Sequence, residues 1–445
     1  KPDVIGFSCY IWNIQYIRPF LKDIPKVLPD VKIWMGGPEV YYRAESFLKE
    51  EPTVTGVMVG EGEATLAELA EVYGEAEDID IRLEQVRGIV FRKTSGGILH
   101  TPVRPLLPMD EIPFSYNNLE GMEHRIIYYE SSRGCPYSCS YCLSSIDKTV
   151  RFRSLDLVMK ELDYFLERKV PQVKFVDRTF NCKKSHALAI WRYLLEHDNG
   201  VTNFHFEISA DLIDEEELEV MEQMRPGLIQ LEIGVQTTNP DTITEIRRKM
   251  NLDRLKQVVD KINGFHNIHQ HLDLIVGLPY ENYERFCQSF DDVYWMRPEQ
   301  LQLGFLKVLK GSYMQEMQQE YELRYKDEPP YEVLSTKWLP YSDVIELKGI
   351  EEMVEIYYNS GQFTHVVEAL VENYASAYQM YQDLWQYYEE HDYMGIQHRR
   401  SARYEIVLDF VKEKYPEQAD VMRELLTYDY YLRENAKSRP EFAGE

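Results

Sequence analysis

Residues 125–145 read RIIYYESSRGCPYSCSYCLSS: an apolar run followed at once by three cysteines in eight positions. Cys135, Cys139 and Cys142 are half of the six cysteines in a chain of 445 residues. The run before them has the length and composition of a buried strand. The cysteines therefore fall on the loop that leaves its end, a position that favours chemistry over packing. Gly134 and Pro136 suit a loop that wraps tightly.

Working outward, the pattern repeats. The runs QVKFVD, NFHFEIS, LIQLEIGVQ, HLDLIVGLP and LQLGFLKVL follow RIIYYE. Helical periods separate them, as in SLDLVMKELDYFLERK, where Leu155, Val158, Leu162 and Phe165 fall on one face. Six such units predict a parallel sheet, closed or partly closed into a (β/α)6 barrel over 124–320, with ligand sites at the C-terminal strand ends. Ahead of it, 1–85 alternates short apolar runs with amphipathic segments and places glycine at strand ends, which predicts a doubly wound, Rossmann-like α/β domain. Over 86–123 a Ser-Gly-Gly turn between extended runs, followed by prolines, predicts a hairpin and linker, hence a domain boundary. From 321 to 445 the alternation gives way to helical segments that hold about half of the 33 tyrosines. Aromatic stripes at that spacing read as helical core. The tail from 435 is polar.

Lys and Arg total 49 against 75 Asp and Glu, a net charge of -26. Such a surface repels phosphate backbones and anionic membranes, so nucleic-acid binding is not expected. No run approaches the ~18 apolar residues needed to span a bilayer. Three clustered thiols without a disulfide scaffold point to a metal site in a reducing, cytoplasmic setting. The chain begins at Lys1, directly in an apolar run, so a missing natural N-terminus is expected.

Zinc in a structural site takes four ligands, commonly as two pairs, and Cys9, Cys182 and Cys287 are isolated. Three thiolates can instead hold three irons of a cubane cluster and leave the fourth open. The spacing C-x3-C-x2-C, with Tyr141 before the last cysteine, resembles the cluster loop of the radical S-adenosylmethionine (SAM) enzymes, and the resemblance extends over roughly 124–310. It implies a [4Fe-4S] cluster on Cys135, Cys139 and Cys142 that cleaves SAM to a 5'-deoxyadenosyl radical. It further implies that Asp177 and Asn181 in FVDRTFN, Glu207 and Ser209 in FEISADLID, and Glu232 and Gln236 in LEIGVQ face SAM. The family's Gly-Gly-Glu form is absent at the first of these. Buried Glu232 needs a specific partner, for which a ribose or an arginine would serve. Arg247, or its neighbour Arg248, is the candidate for the SAM carboxylate. Gly277 in IVGLP matches the adenine-binding strand end.

The front domain resembles the cobalamin-binding domain of one branch of that family. On that resemblance Ser8, Gly36, Gly37 and Gly60, the last within VGEGE, line the pocket for the cobalamin tail, although Tyr10 replaces the family's leucine. The histidine motif that ligates cobalt from below is not in the chain. The resemblance implies cobalamin-dependent methylation or rearrangement of an unknown substrate, with an electron donor such as flavodoxin or ferredoxin as partner. The alternative is a cobalamin or iron-sulfur binding module without turnover, and methylthiolation and a structural zinc protein are further readings.

Overall fold

The computed structural model describes all residues except 75–77, 147, 435, 437 and 445, so the polar tail lies partly outside it. The chain forms two compact units. The first comprises Lys1–Leu119, Ser131–Glu161 and Lys307–Leu334; the second comprises Glu120–Glu130, Leu162–Leu306 and Ser335–Glu445.

In the first unit, β1 (Val4–Ser8), β2 (Lys32–Gly36) and β3 (Gly56–Met58) run parallel, as the alternation predicts. The hairpin expected within 86–123 forms as β4 (Ile89–Arg92) and β5 (Ile98–His100). It does not stand between domains. β4 pairs antiparallel with β3, Val57 opposite Val90, and completes the order β1-β2-β3-β4-β5. The linker reading is corrected because Ile89, Val90 and Phe91 are buried and need the sheet to cover them.

Both faces of this sheet are apolar. Ile33, Met35 and Val57 pack with Ile14, Ile17 and Leu21 of helix Ile14–Val27, which recur at helical spacing. Trp34 and Ile89 pack on the opposite side with Leu69 and Val72 of helix Glu63–Gly74.

The chain next contributes β6 (Ile127–Tyr129) to the second unit. It then forms a two-stranded antiparallel ladder, β7 (Ser132–Arg133) with β8 (Arg151–Phe152), in the first. The second unit continues with β9 (Gln172–Phe175), β10 (Asn203–Ile208), β11 (Ile229–Gln236), β12 (His269–Val276) and β13 (Gln300–Phe305). With β6 they make a parallel six-stranded sheet, β6-β9-β10-β11-β12-β13, the partial (β/α)6 barrel of the sequence reading. In helix Leu155–Glu167, Val158, Leu162 and Phe165 are fully buried.

Beyond the sheet the second unit is helical, with Tyr341–Val354, Ala377–Glu390, Arg400–Lys414 and Ala419–Arg433 as its long helices. Tyr357, Tyr378, Tyr381, Tyr388 and Tyr404 are core residues, and the hydroxyls of Tyr357 and Tyr388 bond at 2.7 Å. No helix among the described residues is long and apolar enough to cross a membrane.

Candidate functional site

The cysteine loop is closed at its base. Ser132 pairs with Phe152 and Arg133 with Arg151, and Arg153 N donates to Ser131 O at 2.9 Å. Gly134 adopts φ +100°, and a Cβ there would lie 2.1 Å from the Thr149 carbonyl oxygen, so only glycine lets the two arms of the loop pass. Inside the loop Cys139 is buried and Cys135 and Cys142 are half-buried, all six cysteines being thiols. Cys142 N donates to Cys139 O at 3.1 Å, and Tyr141 is half-buried. The hydroxyl of buried Ser140 has no hydrogen-bond partner among the described residues.

Among those residues no three His, Cys, Asp or Glu side chains converge to hold one metal ion. A cubane gives each thiolate a separate iron, so its donors must be distributed along a loop rather than meet at a point. Three soft donors on a glycine-pinned loop with an orphaned hydroxyl between them fit such a group.

Two glutamates of VGEGE clamp the loop's base. Arg133 Nη1 lies 3.2 Å from Glu61 Oε1 and Arg133 Nη2 lies 2.9 Å from Glu63 Oε1. Arg151 ion-pairs with Glu61 and donates to the Leu107 carbonyl. Burial works to raise the pKa of Glu61, but the Arg151 and Arg133 guanidiniums outweigh it and hold the carboxyl below its ordinary value.

Ser8, Gly36, Gly37 and Gly60 come together at the C-terminal ends of the parallel strands β1, β2 and β3. Ser8 and Gly60 are exposed, and a Cβ on Gly60 would meet nothing within 4 Å. Gly37 has a reason internal to the fold: at φ +97° its Cβ would lie 2.4 Å from the Cys9 carbonyl oxygen.

In the second unit, Asp177 follows β9 and is fully buried. Asn181 Nδ2 donates to Ser209 O, and Ser209 N donates to Asn181 Oδ1, both at 2.9 Å. The Asn181 amide is thus engaged in joining the ends of β9 and β10. Ser209 Oγ donates to Asp211 at 2.8 Å. At the end of β11, Gln236 takes φ +73° where the register against β12 shifts between Gly234 and Gln236. A bulge with a left-handed non-glycine residue at a strand end is a common mark of a working site. The Arg248 guanidinium donates to the Gly234 carbonyl, while Arg247 is exposed. Arg248 thus reaches the sheet. Gly277 follows β12 and is buried.

Glu232 differs from its sequence reading. Its carboxylate meets His205 Nε2 at 3.0 Å and Lys174 Nζ at 2.9 Å, and these two groups hold its pKa down to about 2. Its protein partners are thus a lysine and a histidine rather than an arginine. It also lies four residues before Gln236, about 13 Å below the strand end at ~3.3 Å per residue. Glu207 is raised to about 7, by burial first and by the neighbouring Glu232 carboxylate second.

Lys174, His205, His271, Asp273 and Glu281 were missed by the sequence reading. The first four carry a signal in retrospect, a polar residue at every second position of QVK, HFE and HLD. Glu281 is 1% exposed; its Oε1 accepts from Thr237 Oγ1 at 2.6 Å and Ser289 Oγ at 2.8 Å, and burial pushes its pKa up to about 7.

Three domain families match the chain: the B12 binding domain over 1–70, the Radical SAM superfamily over 129–293, and a family described as Protein of unknown function (DUF4080) over 319–445. The cobalamin-dependent radical SAM methyltransferase TokK of Streptomyces tokunonensis is 27% identical, covering 64% of this chain and 44% of its own. An uncharacterized methyltransferase of Pyrococcus horikoshii, PH0819, is 30% identical over 42% of each chain. The chain thus spans less than half the length of these two relatives. The solved structure of the cobalamin-dependent SAM radical enzyme OxsB with aqua-cobalamin and SAM bound superposes with a TM-score of 0.64 at 15% identity, over 97% of this chain and 71% of that one. That likeness is one of fold. The radical SAM domain implies a [4Fe-4S] cluster and SAM, and the front domain implies cobalamin. The chain thus carries a radical SAM domain over 129–293, which includes the three-thiol loop and the parallel strands β9, β10, β11 and β12 after it in sequence, and a B12 binding domain over 1–70 ahead of it.

Proposed function

We propose that the chain carries out cobalamin-dependent radical SAM methylation of a substrate still to be identified. The observation that carries this reading is the closed loop presenting Cys135, Cys139 and Cys142 directly after the first strand of a parallel six-stranded sheet. The activity of TokK, a cobalamin-dependent radical SAM methyltransferase, and the fold shared with OxsB, which binds cobalamin and SAM, support it. When bound, the cluster and SAM supply radical hydrogen abstraction and cobalamin supplies a methyl group.

The three cysteines would hold the cluster as thiolates. Ser8, Gly36, Gly37 and Gly60 would hold the cobalamin tail at the rim of the front sheet. SAM would lie at the strand ends of the second sheet, against Asp177, Ser209, Gln236 and the backbone at Gly277. Arg248, oriented by the Gly234 carbonyl, offers a guanidinium that can take a carboxylate in a bidentate manner. Glu281 fixes the turn after β11 to helix Tyr283–Tyr294 through Thr237 and Ser289. It keeps the ends of β11 and β12 in place for that contact. A low-potential donor such as flavodoxin or ferredoxin, in the cytoplasm, would supply electrons.

The test is chromatography of SAM products after anaerobic cluster reconstitution and reduction, with and without methylcobalamin, comparing the chain with Cys139→Ala. 5'-Deoxyadenosine together with S-adenosylhomocysteine, both requiring Cys139 and the second requiring cobalamin, is the expected result. Absence of any Cys139-dependent product overturns the reading in favour of a binding module.

A further inference from the structure

The two faces of the second sheet are unlike. Toward the helices it presents Phe175, Phe206, Leu231, Ile233, Leu272 and Leu303, all nearly or fully buried. The other face, the inside of the partial barrel, presents six ionisable residues in register. Lys174 is opposite His205, Glu207 opposite Glu232, Glu232 opposite His271, and Gly234 opposite Asp273. Barrel interiors of this class are normally filled with branched apolar side chains. This six-stranded sheet carries ionisable groups on the corresponding face instead.

These groups satisfy one another only in part. Lys174 and His205 are taken by Glu232. His271 Nε2 lies 3.1 Å from Asp273 Oδ1, yet both atoms are buried without an aligned hydrogen bond, as is Nε2 of His205. His205 and His271 are only 7% and 8% exposed. Glu207 has no hydrogen-bond or ion-pair partner among the described residues. Its charged neighbours include the carboxylates Glu232 and Asp273 as well as Lys174 and Arg178. Buried polar groups in native proteins are paired, so an unsaturated set of this kind indicates a ligand that completes it.

Glu207 lies in β10 one residue before its last, Ile208, and so about 7 Å along the strand before Ser209. A lipid would leave Glu207 and the open atoms of His271 and Asp273 unanswered. A neutral polyol would meet the imidazoles and leave the Glu207 charge unanswered.

Building on the proposed function, we infer that the substrate is a small polar molecule bearing a protonated nitrogen, which Glu207 binds while His271 and Asp273 bond its polar atoms. The raised pKa of Glu207 agrees with a carboxylate awaiting a cation.

The test is calorimetric titration of the reconstituted full chain with 1,4-diaminobutane, with its neutral isostere 1,4-butanediol and with SAM, for wild type and Glu207→Gln. The expected result is diamine binding with the diol weaker by roughly tenfold, and a loss of similar size for the diamine in Glu207→Gln, as for removal of a charged hydrogen bond. SAM affinity should stay within about threefold. The unfolding midpoint of Glu207→Gln, measured alongside, verifies that the variant is folded. Equal binding of diamine and diol, binding of neither, or a parallel loss of SAM affinity overturns the inference, the last by returning Glu207 to the SAM site. Failure of wild type to bind or cleave SAM would count against the radical SAM reading instead, since the diamine preference is read without turnover.

Discussion

The two sheets share parallel strands, glycine at strand ends and covering helices, yet they use their faces differently. In the front sheet Ile33 and Met35 pack to one side and Trp34 to the other, so both faces are apolar and every candidate ligand contact lies at the rim. In the second sheet one face is apolar, and the other carries Lys174, His205, Glu207, Glu232, His271 and Asp273 along its length. A strand covered on both sides reads as a continuous apolar run, whereas one covered on a single side alternates. Alternation in a sheet that helices cover on one side therefore points to an interior that holds something other than side chains.

If the front sheet is rigid scaffold, its tightest point should be the least forgiving. Gly37→Ala combines a left-handed residue with a Cβ against the Cys9 carbonyl, and should cost about 3 kcal/mol or more. Hydrogen exchange at the Ile33–Met35 amides would register it, and unchanged protection would break the contrast between a packed and an unfilled sheet.

The second sheet should instead be held by charge. Lys174→Met removes a partner of the largely buried Glu232 and should cost about 3 kcal/mol, read as lost protection in β10 and β11. Glu232 gives the same sheet an acid limit. Its folded pKa, about 2, lies below the ordinary 4.5, so its contribution is complete above about 4.5 and is lost as pH falls through 2. A pH-stability profile of Glu232→Gln lacking that loss would sharpen the contrast.

Glu207 works in the opposite sense. Its folded pKa of about 7 lies above the ordinary 4.5, so ionising it penalises the fold progressively as pH rises from 4.5 to 7, with the full penalty above. Glu207→Gln should therefore be more stable than wild type above pH 7, by an amount on the order of 2 kcal/mol, and no more stable below pH 4. A Glu207→Gln variant less stable at pH 8 would mean that the carboxylate already has a partner.

The smallest effect belongs to the clamp on the cysteine loop. Glu61→Gln should cost about 1 kcal/mol, seen as faster exchange at Ser132 and Arg133 with the second sheet untouched. Slower cluster loss from this variant than from wild type would contradict a positioning role for Glu61.

Much of the architecture was legible. Two alternations of strand and helix, the helical C-terminal part and the buried face of helix Leu155–Glu167 follow from periods of two and 3.6 residues, which neighbouring positions record. The cysteine loop was legible for the same reason, because its three donors and the glycine that lets its arms cross lie within nine residues. Partner choice was not. For Glu232 a ribose or an arginine would serve, and the protein partners are Lys174, 58 residues away, and His205. The motif VGEGE was read as lining a pocket, and its glutamates hold Arg133 and Arg151, the latter 90 residues from Glu61. The hairpin looked like a connector because a sequence does not display which sheet edge an apolar strand will cover.

The sequence by itself determined the order of the elements, the sheet direction and the three-thiol loop, since local turn chemistry and side-chain period specify these without distant help. Only the tertiary structure decided which of two adjacent arginines turns inward, which carboxylates are neutralised and which is left for a ligand. Those outcomes depend on parallel register, which sets residues from different strands opposite one another and chooses each charge its neighbour.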